Sequence, residues 1–209
     1  MFLVKNAATA SVDKLCFWSM KIDQKLYKYL RMIAGVDYSM TCPAVTVYSG
    51  GAFSFQNCKS YYRTGLDRYV GTYSNISGSA IEEYSSEIDR YVNHAKWVVS
   101  LVQGCSLVAI EGYSMGSRGK VFHIAENTAI LKYFLEQNKI PYVSVPPTRV
   151  KKHACKGNAS KEEMYDAFVN LTKTDLRKVM GFTAKKIASP ITDVVDSYYI
   201  CSYIFHNGA

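Results

Sequence analysis

The sequence predicts a mixed α/β domain: a five-stranded sheet flanked by helices, preceded by a helical extension. Three observations carry this. Residues 32–37 and 107–111 are short, almost wholly apolar runs, as buried central strands are. Between the strand-like runs lie longer segments with apolar residues at helical spacing. The order is strand, strand, strand, helix, strand, helix, strand, helix, helix, which builds a mixed sheet with helices on its faces. A length of 209 residues allows one large domain with an extension. We expect the extension over 1–31 and the domain over 32–209.

In the extension, Leu15, Trp18, Ile22, Leu26, Tyr29 and Leu30 recur near helical spacing, predicting a helix over 13–31. Strand one covers 32–38 and strand two 43–48. Ser49, Gly50 and Gly51 signal a tight turn, after which 52–62 reads as strand three, completing an antiparallel meander. Residues 63–80 are rich in Gly, Ser and Tyr without a clear period, and predict a loop. A helix follows over 81–103, with Ile88, Tyr91, Val92, Ala95, Val98, Val99 and Val102 as its apolar stripe and Gly104 as its stop. Strand four is 106–112. The next helix runs from Val121 to Asn138 and offers Ile124, Ala125, Thr128, Leu131 and Leu135 for burial. Strand five is 142–145. Ser160 and Glu163 form a capping-box pattern that opens a helix to about 171. A short helix fits 174–180. Ser189 as cap and Pro190 at the first position start the last helix, which runs to about 206.

The chemistry concentrates in four acids. Asp37 ends the first apolar strand and Glu111 the fourth, while Asp193 and Asp196 share one face of the last helix at i and i+3. Each alone has a plain explanation: a strand-end acid is commonly a cap or turn residue, and acids favour a helix N-terminus through its dipole. Their conjunction is more specific. A charge at the end of a buried strand is costly unless paired or metal-bound. Hard oxygen donors suit Mg²⁺ or Mn²⁺, and two such ions can drive in-line attack on a phosphodiester.

Composition narrows the partner. The hydrophobic share of 48% excludes a disordered chain. A formal charge of +8 suits a polyanion, with nucleic acid first and an anionic membrane surface second. The cysteines at 16, 42, 58, 105, 155 and 201 form no C-x-x-C and no zinc spacing, and Cys105 and Cys201 lie in apolar segments as buried thiols. This predicts a reducing, intracellular setting. No apolar run reaches the length of a membrane span, and residues 1–30 carry too many charges for a secretory signal.

At these motifs the chain resembles the RuvC-type Holliday junction resolvases of the ribonuclease-H-like superfamily, over roughly 32–206. Gly35-Val36-Asp37-Tyr38-Ser39 resembles the first-strand motif with its catalytic Asp. Ile110-Glu111-Gly112-Tyr113-Ser114 resembles the fourth-strand motif with its catalytic Glu. The stretch 121–127 is similar to the phage-encoded branch. Residues 146–161 resemble the basic segment after strand five, and Asp193-Val194-Val195-Asp196 the paired acids of the last helix. Residues 1–30 and the long 63–80 segment depart from the compact bacterial pattern.

The resemblance implies a ribonuclease-H-like fold and a homodimer that cuts opposed strands of a four-way DNA junction with two Mg²⁺ ions, for which Mn²⁺ substitutes. Its metal ligands would be Asp37, Glu111, Asp193 and Asp196, with Lys161 near the scissile phosphate. DNA contacts would come from Tyr113, Arg118, Lys120, Arg149, Lys151, Lys152 and Lys156. If phage-encoded, the protein would act in the cytoplasm of an infected bacterium. A flap or branched-DNA nuclease, or a ribonuclease H, would use the same acids. From another class, a non-catalytic DNA-binding module would keep the fold, and the basic run would then be a solvated face. An actin-like nucleotide-binding fold shares the sheet order, but 48–51 is a poor phosphate loop.

Overall fold

The computed structural model describes residues 32–112 and 121–208. Strands β1 (Ile33–Asp37), β2 (Ala44–Tyr48) and β3 (Cys58–Thr64) form the expected antiparallel meander. After β3 come β4 (Gly71–Tyr73) and β5 (Ile76–Ala80), then β6 (Leu107–Glu111) and β7 (Tyr142–Val145). β6 lies parallel to β1, and β7 parallel to β6. The sheet has seven strands in the order β4-β5-β3-β2-β1-β6-β7.

The two-residue side-chain period of a strand sorts the central residues onto two faces. Ala34, Val36, Val108 and Ile110 pack under α1 (Glu87–Leu101) and α2 (Val121–Gln137), together with Val98, Leu131 and Leu135. Ile33 and Ala109 face the other way, into a larger core with α3 (Pro147–Ala154), α4 (Lys161–Thr172), α5 (Leu176–Val179) and α6 (Ile191–Asn207). By the same alternation Asp37 and Glu111, at the strand ends, belong to the face that α6 covers.

α6 lies directly on β1. A Cβ on Gly35 would collide with the backbone of Cys201 and Ser197, so glycine is what permits the approach. Thr46 Oγ1 on β2 bonds Ser197 Oγ at 2.8 Å and Ser60 Oγ on β3 at 2.9 Å, a buried polar line that fixes the helix across the meander. Almost every residue of α6 is buried, since the sheet lies on one side and α3 and α4 on the other.

Several expectations need correction. The sheet has seven strands, because 63–80 is no loop: it holds the end of β3, a short 3₁₀ turn at Asp67–Tyr69, and β4 and β5. Gly78 lets β5 sit against the Tyr62 ring, and the Tyr62 hydroxyl donates to the Tyr69 carbonyl. Strand three begins at Cys58; residues 55–57 form a 3₁₀ turn, with Asn75 donating to the Phe55 and Cys58 carbonyls. The helix expected over 81–103 begins only at Glu87, capped by Ser86, and Ile88 is exposed. The basic segment after strand five is itself a helix, α3. Pro190, not Ser189, occupies the cap position of α6. The capping box at Ser160 and Glu163, the short helix after it, and buried Cys105 and Cys201 agree with the sequence reading. The helix expected over 13–31 lies outside the described residues.

Candidate active site

Parallel pairing aligns the ends of the central strands: Val36 pairs with Ile110, which sets Asp37 beside Glu111. The first turn and a half of α6 brings Asp193 and Asp196 to the same end of the sheet. Asp37, Asp193 and Asp196 are buried and Glu111 is half-buried. The groups are close enough to act on one another. Burial, then the charges of Asp193, Glu111 and Asp196, push the Asp37 carboxyl well above the usual carboxylate range, with Lys161 opposing. Burial and then Asp196 push Glu111 up to about 7, against Lys161 and Lys151. Burial also raises Asp193 and Asp196, with contact from Ser189 opposing the first and Lys161 the second.

Lys161, at the start of α4, is paired with Asp196. Its side chain is 52% exposed while that of Asp196 is 9% exposed, so the ammonium sits at the mouth of the acid group. What burial takes from its basicity is outweighed by the charges of Asp196, Asp37 and Asp193, so its pKa is raised. Lys161, with Lys151 acting from α3, does not balance four carboxylates, so negative charge is left in excess. Asp193 Oδ2 is buried with no hydrogen-bond partner. An orphaned buried carboxylate oxygen among unneutralised acids fits a hard cation. As they stand, no three His, Cys, Asp or Glu side chains among the described residues close tightly enough around one point to ligate an ion.

Sequence reasoning did not place Cys42 at the site, and read Ser189 only as a helix cap. Both stand against Asp193; burial, then Asp193, push the Cys42 thiol up, so it remains protonated. A cysteine five residues past a strand-end acid carries no motif, and only the β1–β2 connection brings it round.

Of the residues expected to meet DNA, Arg149 and Lys152 are exposed on α3, and Lys151 is half-buried and near enough to act on Glu111 and Asp196. Lys156 is paired with Glu163, whose carboxylate also accepts from the Ser160 backbone at 2.8 Å. The capping box thus occupies the N-terminus of α4. Tyr113, Arg118 and Lys120 lie outside the described residues.

No family model matches the chain, and no curated protein matches it. Among solved structures it is similar to Thermus thermophilus RuvC, with a TM-score of 0.54 and 15% identity over 85% of this chain and 96% of that one. It is also similar to T. thermophilus RuvC in complex with a Holliday junction substrate, with a TM-score of 0.53 and 16% identity over 86% of this chain and 98% of that one. At such identity the likeness is one of architecture: the chain has a RuvC-like fold.

Proposed function

We propose that this protein is a metal-dependent, structure-specific endonuclease that hydrolyses phosphodiesters at four-way DNA junctions, a crossover junction endodeoxyribonuclease. One observation carries the reading: four acids from β1, β6 and α6 meet at one end of the sheet, with only Lys161 paired directly to one of them among the described residues. The fold adds support, since a protein of the same architecture has been solved with a Holliday junction.

Asp37, Glu111, Asp193 and Asp196 would hold Mg²⁺, with Mn²⁺ as substitute, at two ions per site. Bound ions would supply a lowered pKa for an attacking water and charge stabilisation at the phosphate. Asp37 feels the most acid neighbours and is the residue best suited to bridge two cations. Its strand and that of Glu111 are central and paired on both sides, which holds both carboxyls in place. Lys161, half exposed beside Asp196, is positioned to meet a phosphate oxygen as the negatively charged strand enters. Lys151, Lys152 and Arg149 extend a positive surface away from the acids, with Lys156, Tyr113, Arg118 and Lys120 as further contacts, and an overall +8 charge favours encounter with DNA.

A homodimer would pair two such sites with two equivalent junction strands. α2 offers the surface: Phe122 is 82% exposed and Tyr133 is 60% exposed, and eleven residues of helix return them to one face. The reading places the protein in recombination, repair or resolution of branched replicated DNA. The resemblance over 121–127 favours a phage enzyme acting in host cytoplasm.

The test is cleavage of labelled four-way junction, flap, RNA–DNA hybrid and linear duplex, with and without Mg²⁺, beside sedimentation of the protein. Metal-dependent paired cuts confined to the junction by a dimer are expected. Cleavage of flaps or hybrids in preference would assign the same acids to a different nuclease. Junction binding without cleavage in either metal would leave a DNA-binding module.

A further inference from the structure

A cavity of about 370 Å³ opens beside the acids, on the side of β3 and α1. That is within the roughly 300–1,000 Å³ usual for small-molecule sites. Its inner wall contains Cys42 and Ser189, the two residues that stand against Asp193, so cavity and acids share a wall. Its outer wall is apolar and exposed: Leu66 is 45% and Tyr84 44% accessible. The Arg90 guanidinium lies 5.2 Å from the centre of the Tyr84 ring. Arg90 is paired with Glu87, and its Nε is buried without a hydrogen-bond partner, so the fold does not fully satisfy it. At the edge lies Gly65, where an added Cβ would meet nothing within 4 Å.

A flat ring, aliphatic surface and a guanidinium are what an unstacked base with its phosphate requires. We infer that this cavity receives the base of a nucleotide adjoining the reacting phosphate, against Tyr84 and Leu66, with Arg90 toward that nucleotide's backbone. This rests on the phosphodiester reading and deepens it. The base turned into the cavity holds the strand in register over the acids, so the cavity sets where the cut falls. Apolar surface and a cation lining one cleft argue for a nucleotide over a purely apolar ligand, and the shared wall argues for one in the strand being cut.

The experiment uses the full chain and a four-way junction cut by the wild type, then the same junction with a single abasic site placed in turn on either side of the cut. Gly65→Leu fills the mouth from a position with free space, and Tyr84→Ala removes the exposed ring. Neither touches the acids, and melting temperatures establish that each variant folds; should Gly65→Leu not fold, Tyr84→Ala carries the test. One abasic position should slow the wild type about tenfold, within what base–aromatic stacking contributes. Each variant should slow on the intact junction by a similar factor, shift its distribution of cut positions, and lose little more at that abasic position. Variants that cut at wild-type rate and position, or that suffer the full abasic loss on top of their own, would overturn the inference while leaving the nuclease reading intact. A wild type that cuts no substrate in Mg²⁺ or Mn²⁺ would overturn the nuclease reading and this inference with it.

Discussion

The two ends of Asp196's neighbourhood differ in how charge is balanced. At the N-terminus of α4, Glu163 meets Lys156, the Ser160 backbone and the Ser160 hydroxyl, and these contacts hold its carboxyl below the usual range. Nearby, four acids share Lys161; burial holds them all above it, helped by repulsion between acids at Asp37, Glu111 and Asp193. The first arrangement is a structural cap, stabilising in the free protein. The second costs the free protein stability and makes sense as a place that takes up cation. The proposed function falls where the charges are left unbalanced.

The sharpest way to break this contrast is to remove a carboxylate charge. Asp37→Asn or Glu111→Gln should reduce junction cleavage by roughly a thousandfold, equal to about 4 kcal/mol of transition-state stabilisation. Junction binding should stay within a few-fold, because the proposed phosphate contacts lie elsewhere. Glu163→Gln, at the balanced end, should leave turnover nearly unchanged. Single-turnover rates and binding isotherms distinguish these outcomes, and near-normal turnover in Asp37→Asn would remove that residue from the site.

The framework can be tested separately. Gly35→Ala should cost about 3 kcal/mol or more, because its methyl would meet the α6 backbone and no rotamer can relieve that. Denaturant unfolding measures it. A cost under 1 kcal/mol would mean that α6 can lift from β1 without penalty.

A smaller effect is expected at α3. Lys151→Ala with Lys152→Ala should weaken binding to every branched DNA and lower the log–log salt slope by about one per lost phosphate contact. An unchanged slope would make these lysines a solvated face.

How much of this the sequence revealed follows from burial. β1 and β6 were legible because both faces are buried, which leaves apolar runs that stop abruptly at Asp37 and Glu111. α4 announced itself through the Ser160–Glu163 box. β4 and β5 did not: they are short, and only part of their surface is covered, chiefly around Ile76, so Gly, Ser and Tyr replace the apolar pattern. α3 was hidden by its cations and two prolines, although Pro147 suits a first helical position. The acids could be named from the strand ends and the i, i+3 spacing. Cys42, Ser189 and the cleft beyond them could not, because the β1–β2 connection and the approach to α6 meet only in three dimensions.

That the four acids are one cation site is tested most directly by melting the wild type and Asp37→Asn with and without Mn²⁺ across pH 5 to 8. Their folded-state pKa values lie above the unfolded ones, Glu111 at about 7. The cost to the metal-free fold is therefore absent below the unfolded value, grows as pH rises, and is complete above the folded value. The metal-free wild type should thus gain stability as pH falls from 8 toward 5, and Asp37→Asn should exceed it at pH 8 by about 1–3 kcal/mol. Mn²⁺ at a hundred times its dissociation constant should stabilise the wild type at pH 8 by about 2.7 kcal/mol, less at pH 5, and Asp37→Asn little at either pH. Equal response of both proteins to Mn²⁺, or a metal-free wild type that loses stability as pH falls from 8, would contradict the account.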